Sequence, residues 1–527
     1  MRCDGQRPTC DQCMRSNILD CEYTDEGLTA SQILEQNISA LEARIRQLEG
    51  DPGSITLHDP HLQGSVSQTR GVSPEQSAAN TARRNRLIMQ AFINYAPNFG
   101  FFLHLPRFLE HLKASIPWTP QSPLPEALVY AVYLIGVLFA THDGASGSSD
   151  ERLSRDLPQI FERAQQALSA QLDPSKVLYV LQAEVLLTAY LFHTNKCTAC
   201  NYHAAAAMSI AVGCKLHKIR SAGWTGPGTS VVPEMQLLPP MDDVEEGERV
   251  RAFWTIFSLD RCLSAICHTP SLLSQQGTVA TRVDTPWPLE MSEYEEHLLM
   301  PQGNTSARTV EDFLDGLTAE SPNQSLLTLR AKAAVLFERS SRLAERWNPN
   351  DPSFQAQFVS LNTRIESLKA VLPALDGITA GWTRTQQLRE LLVIYTLLYA
   401  AELQLHGHFE PSWDVDRSKA LNAAISAAQL LRTINVCHLK YVDPLMGMLW
   451  GLIGRSLANA LVKLKQNIRF TMSPSVAVSP QEIMVTTSLT RILDAMDTLR
   501  ENSPLIAEEA DKLQALVAQN QEGTGSA

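Results

Sequence analysis

Apolar residues recur at intervals of three and four through most of this chain. Stretches 126–141, 175–193, 202–215, 250–267, 326–346, 385–406, 417–433 and 444–464 carry that spacing between Pro or Gly breaks, and each predicts a helix. No run alternates apolar and polar residues long enough to suggest a strand, so the fold class expected is all-α. The longest apolar run, 127–140, has 14 residues. That is fewer than the roughly 18 that mark a bilayer-crossing helix. It reads as a buried core helix, and no membrane partner is expected. Two long interruptions, 221–247 and 271–325, are Pro-rich and partly acidic, and both predict surface loops.

Near the N-terminus the period changes. Ile38 and Ile45 occupy a positions of a heptad, with Leu34, Leu41 and Leu48 at d. Ile at a with Leu at d favours a parallel two-stranded coiled coil. The alternative is one amphipathic helix lying on its own body, but the position directly after a cysteine-rich element favours dimerisation. Residues 51–80 are rich in Ser, Gly, Gln and Pro and predict a flexible linker. The expected order is a small module over 1–23, a coiled coil over 24–50, the linker, a helical domain over 81–300, its helical continuation over 301–517, and a disordered tail over 518–527.

Charge and cysteine placement sharpen this picture. The net charge of -12 argues against broad attraction to nucleic acid, and residues 1–50 hold five Arg and no Lys against nine Asp and Glu. Residues 2–21 alternate charges, cysteines and polar groups with no apolar segment of the signal-peptide kind, which predicts an intracellular, reducing location. There, clustered cysteines favour metal binding over disulfides. Four of the ten cysteines, Cys3, Cys10, Cys13 and Cys21, fall in the first 21 residues with the spacing C-x6-C-x2-C-x7-C. Thiolates are strong zinc ligands, and C-x2-C brings two sulfurs to one tetrahedral ion across a tight turn. No zinc-protease, P-loop, dinucleotide or nucleophile-elbow motif is present, so no catalytic residue and no enzyme is expected.

The run Cys3-Asp4-Gly5-Gln6-Arg7-Pro8-Thr9-Cys10-Asp11-Gln12-Cys13, with Cys21-Glu22-Tyr23, resembles the second part of the fungal binuclear zinc cluster domain. In that family six cysteines hold two zinc ions. The resemblance makes Cys3, Cys10, Cys13 and Cys21 the third to sixth ligands and Zn(2+) the cofactor, and it leaves Arg2 and Arg7 nearest the DNA. The first two ligands and the basic helix after them would precede Arg2. A start set too late is the preferred explanation. Its rival is a DNA-free regulator that heterodimerises with full-length relatives. Two stretches of the body, 181–221 and 245–270, resemble the fungal-specific transcription factor domain, as does 98–108. The resemblance implies a nuclear, sequence-specific, double-stranded-DNA-binding regulator of RNA polymerase II transcription that works as a homodimer with the transcription machinery. Lys215 stands in a run where Gly-Leu-His is more usual, and His268-Thr269-Pro270 lacks the usual Gly, so both turns are expected to be altered.

The remaining candidates read as structure. Cys197, Cys200 and His203 have metal-like spacing, but without a fourth ligand they are expected in the core, as are Cys214, Cys262, Cys267 and Cys437. Asp242, Asp243, Glu245, Glu246 and Glu248 predict a solvated loop and helix start. Phe253, Trp254, Ile256, Phe257 and Leu259 predict packing, Asp260 and Arg261 ion pairs with neighbouring helices, and His217 a helix end.

Overall fold

The computed structural model describes Met14, Arg15 and residues 74–525, apart from 116–118, 120, 142–147, 171–173, 223–236, 274–280, 297–305, 376–381, 409–417 and 472–478. The chain divides into two units, Met1–Pro74 and Glu75–Ala527, and the second holds every described residue except Met14, Arg15 and Pro74. Among the described residues the regular elements are helices, and the one β contact is an isolated bridge between Ser221 and Ser306. The protein is all-α.

The order begins with α1 (Pro74–Tyr95), α2 (Leu105–Ala114), α3 (Glu126–Ala140) and α4 (Ser148–Ala170). It continues with α5 (Val177–His193), α6 (Cys197–Gly213), α7 (Asp243–Cys267), the short α8 (Met291–Glu295) and α9 (Thr309–Asp315). The second half holds α10 (Leu326–Glu345), α11 (Pro352–Val371), α12 (Trp382–His406), α13 (Lys419–Thr433), α14 (Leu445–Thr471), α15 (Pro480–Leu499) and α16 (Pro504–Gly525).

Caps explain where several helices start. Asp242, Ser325, Ser418 and Ser479 each accept a hydrogen bond from a backbone N–H of the first turn, and Pro480 follows Ser479 as the first helical residue. The cap at Asp242 also explains why α7 begins seven residues before the apolar pattern does: acidic side chains fill its first turn, where the helix dipole favours them. Likewise α6 starts at Cys197 rather than 202. The interruption expected over 221–247 therefore ends at the Asp242 cap.

The body is built around α10, which packs on α7 and on α12, while α3 packs on α4, α5 on α6, and α14 on α15 and α16. One contiguous apolar core runs through all of them. Residues 445–466 of α14 are long and apolar enough to cross a membrane, yet 56% of the decisive window is buried in the protein. Met446, Leu449, Trp450, Ile453 and Leu457 are fully buried there, which makes α14 a core helix.

Several expectations are corrected. The described residues of the span 271–325 do not form a loose surface loop. Trp287 stacks on Trp254 at 4.2 Å between ring centroids, Asp284 and Thr285 are buried, and Phe313 of α9 is 1% exposed. Pro interrupts helical periodicity there without removing the apolar residues that dock the segment. The tail expected to be disordered over 518–527 is helical to Gly525, because α16 is anchored on α14 through residues such as Leu513 and carries its ladder onward. Helix α1 begins at Pro74, inside the span read as linker. Cys437 is exposed, since it sits on a short 3-10 turn rather than a helix face.

Candidate functional site

The residues expected to bind metal (Cys3, Cys10, Cys13, Cys21), to contact DNA (Arg2, Arg7) and to dimerise (Leu34, Ile38, Leu41, Ile45, Leu48) lie outside the described residues. In the body, the chemistry gathers around a cavity of about 570 Å³ where α5, α7, α10, α12 and the start of α14 meet the turn at 97–101.

That turn is held by local chemistry. Gly100 takes φ +80, and a Cβ there would meet Val185 Cγ1 at 2.7 Å, so only glycine fits. The buried Gln182 side chain clamps the backbone on both sides: its Oε1 accepts from Phe102 N–H at 2.8 Å and its Nε2 donates to Gly100 C=O at 3.1 Å. The clamp fixes Asn98, Phe99 and Phe101 in the cavity wall.

Across the cavity Arg330 of α10 lies between two carboxylates. Its guanidinium donates to Glu390 of α12 at 3.1 Å and to Asp443, which precedes α14. Burial works against the charge on Arg330, but Asp443 and Glu390 outweigh it and hold the guanidinium protonated well above its ordinary range. The carboxylates are themselves fixed: Asn98 Nδ2 donates to Glu390 at 3.1 Å, and Leu445 N–H donates to Asp443 at 2.9 Å. Nearer solvent, Arg251 donates to Leu289 C=O at 3.0 Å and lies 3.8 Å from Glu290. The rest of the lining is mainly apolar and includes Phe99, Phe192, Leu259 and Cys262, whose thiol is pushed up to about 12 by burial and is unreactive.

The sequence expectations for the body divide accordingly. Phe253, Trp254, Ile256 and Phe257 are buried in the core, whereas Leu259 is partly open and lines the cavity. Arg261 and Asp260 go separate ways. Arg261 lies 3.6 Å from the buried Glu338 of α10 and donates to Leu273 C=O, while Asp260 accepts from Ser271 Oγ at 2.5 Å. Cys200 is buried, Cys197 donates to Asn195, and His203 pairs with Glu184 at 2.6 Å and meets Gln165 at 3.1 Å. Among the described residues no group of three His, Cys, Asp or Glu is placed to hold a metal.

The acidic run is not a solvated strip. Asp242 meets Arg107 at 2.7 Å, Glu245 meets Arg249 at 2.5 Å, and Glu246 meets Arg220 at 2.5 Å. Glu248 is 5% exposed, accepts the His104 N–H at 2.8 Å, and has its carboxyl pushed up to about 7, chiefly by burial. Helical periodicity places it one turn from the acidic helix start, on the side that α2 covers. His217 is fully buried on a 3-10 turn rather than capping a helix, and its C=O accepts from the Asp284 and Thr285 amides. Lys215 and His268 both adopt left-handed backbone, φ +60 and +51. The two turns therefore keep a glycine-like conformation without glycine.

Sequence reasoning missed Arg330, Glu390 and Asp443, which are far apart in the chain. The available signal was a charged residue interrupting an apolar helix face, and it does not say which partner such a charge finds.

The family model of the fungal Zn(2)-Cys(6) binuclear cluster domain matches residues 1–28, and that of the fungal specific transcription factor domain matches residues 88–328. Neither a curated protein nor a solved structure matches the chain. The first of these domains binds zinc, both are domains of transcription factors rather than enzymes, and the cavity's first wall, from Pro97 to Leu327, lies inside the second. With a zinc-cluster domain over 1–28 and the regulatory domain of the same regulators over 88–328, the chain belongs to the fungal zinc-cluster transcription factors.

Proposed function

We propose that this protein is a zinc-dependent, sequence-specific DNA-binding regulator of RNA polymerase II transcription that acts in the nucleus as a homodimer. The observation that carries this reading is the match of residues 1–28 to a zinc-cluster domain over the cysteines of the C-x6-C-x2-C-x7-C run. The donor set suits the metal: Cys3, Cys10, Cys13 and Cys21 supply four thiolates, the number a tetrahedral zinc takes. Zinc would supply structure, not chemistry, by crosslinking a segment too small to hold a core of its own. Arg2 and Arg7 flank Cys3 and would contact phosphates or bases. The heptad positions Leu34, Ile38, Leu41, Ile45 and Leu48 would join two chains and set the spacing of two half-sites. The proposed organisation is the zinc module over 1–23, the coiled coil over 24–50, a linker up to the body, and the regulatory body after it.

A second reading is a DNA-free partner that pairs with DNA-binding relatives through the heptad positions Leu34 to Leu48. Selection of bound duplexes from a randomised pool by the zinc-loaded chain, read by gel shift, separates the two. Enrichment of a paired short motif that disappears on replacing Cys10 and Cys13 with Ser, together with the bound zinc, supports DNA binding. A zinc-loaded chain that enriches nothing refutes it.

A further inference from the structure

We infer that the central cavity is a small-molecule site for a mainly apolar organic cation, an amine carried on a bulky hydrocarbon skeleton. Its size comes first. A volume of about 570 Å³ falls in the range of roughly 300–1,000 Å³ that encloses a drug-sized ligand. The exposed Glu290 and Gln387 mark its mouth, and its depth reaches α5, α10 and α14, so an occupant would touch helices from both halves of the body.

Charge then selects among ligands. Five ionisable carboxylate and guanidinium groups line the wall: Arg251 and Arg330 against Glu290, Glu390 and Asp443. Arg251 is turned to Leu289 C=O and Glu290, so its pair is balanced. Arg330 is shared by two carboxylates, which leaves the inner cluster with one surplus negative charge. The side chains of Arg330, Glu390 and Asp443 keep 18%, 17% and 11% of their surface open, and all three line the cavity. An anion entering here would meet guanidiniums that are already engaged and a surplus of like charge. A buried ammonium would neutralise that surplus beside Glu390 and Asp443, where the low dielectric strengthens the attraction. Phe99, Phe101 and Phe192 in the same wall offer ring faces suited to a cation and apolar area for the skeleton. Asn98 Oδ1, on a side chain 3% exposed, makes no hydrogen bond within the protein and is an acceptor beside Glu390. A small rotation of its amide would bring it to an N–H of the same ligand.

The site stands apart from the DNA-binding reading, because binding is measured without DNA. Three probes on one adamantane skeleton, bearing aminomethyl, hydroxymethyl or carboxylate groups, are titrated calorimetrically into the full chain at neutral pH. The amine is expected to bind at least tenfold more tightly than the alcohol, and the carboxylate more weakly than either. Glu390→Gln removes the surplus charge and should bring the amine to within about threefold of the alcohol while leaving the alcohol unchanged. Ala189→Phe, which fills the cavity from α5, should abolish binding of all three, and Thr255→Leu replaces it if that variant melts early. Carboxylate binding as tight as the amine, no binding by any probe, or amine binding untouched by both Glu390→Gln and the filled cavity would overturn the inference.

Discussion

Glu248 gives the most direct test of the physical account of the body. Its carboxyl lies between α7 and the start of α2, accepts the His104 N–H, and faces Arg107, Asp242, Glu245 and Tyr179. Burial raises it from 4.5 to about 7, against the lowering effects of the His104 hydrogen bond and Arg107. The folded chain therefore holds a proton that the unfolded chain has lost between those pH values. Stability from this group is fully present below 4.5 and is lost as pH rises through 7, by about 3 kcal/mol at 1.36 kcal/mol per tenfold change in proton affinity. Glu248→Gln keeps an oxygen for the His104 N–H and removes the titration. Its stability relative to the parent should therefore be level near pH 4 and should climb by about 3 kcal/mol between pH 4.5 and 7.5. The assay is urea unfolding at pH steps followed by tryptophan fluorescence, which reports the body because all 8 tryptophans follow residue 100. The contact of His104 with Glu295 at 2.8 Å is common to both proteins, so it cancels in the difference. Parallel stability curves for parent and variant across this window would refute the assignment of a buried, protonated Glu248.

Three further outcomes are expected. Gln182→Leu leaves the Phe102 N–H and Gly100 C=O without partners in the core and should cost about 2–4 kcal/mol in the same unfolding assay, with a loss below 1 kcal/mol counting against the clamp. Lys215→Gly relieves a left-handed backbone at an exposed side chain and should raise stability by up to about 1 kcal/mol, whereas a destabilised variant would contradict the strain. Leu41→Lys should halve the mass measured by sedimentation equilibrium, and an unchanged mass would remove the heptad from the proposed interface.

The periodicity of α3, α5, α12 and α13 was legible in the sequence because each carries enough apolar residues to show its buried face within one segment. The resemblance of the cysteine run to a zinc-cluster domain was legible for a similar reason: a C-x2-C spacing is local and survives in one dimension, and residues 1–28 match that domain. Helix starts were less so. The first turn of α7 is acidic, and its seven residues signal a cap and a dipole preference rather than an apolar stripe. The segment around Trp287 misled for the opposite reason, since its prolines interrupt any period while Trp254 and Phe313 receive the ring.

The sequence by itself determined an all-α body, a cysteine run with zinc-cluster spacing and the kinship of both with fungal regulators, because those follow from residues near one another in the chain. Only the tertiary structure decided that Arg330, Glu390 and Asp443 share one cluster, that Glu248 is buried, and that a cavity opens where the two halves of the body meet. Each depends on which helix faces which. An isolated charge in an apolar stretch fixes the need for a partner, and packing of segments 60 and 113 residues away in the chain supplies the partners of Arg330.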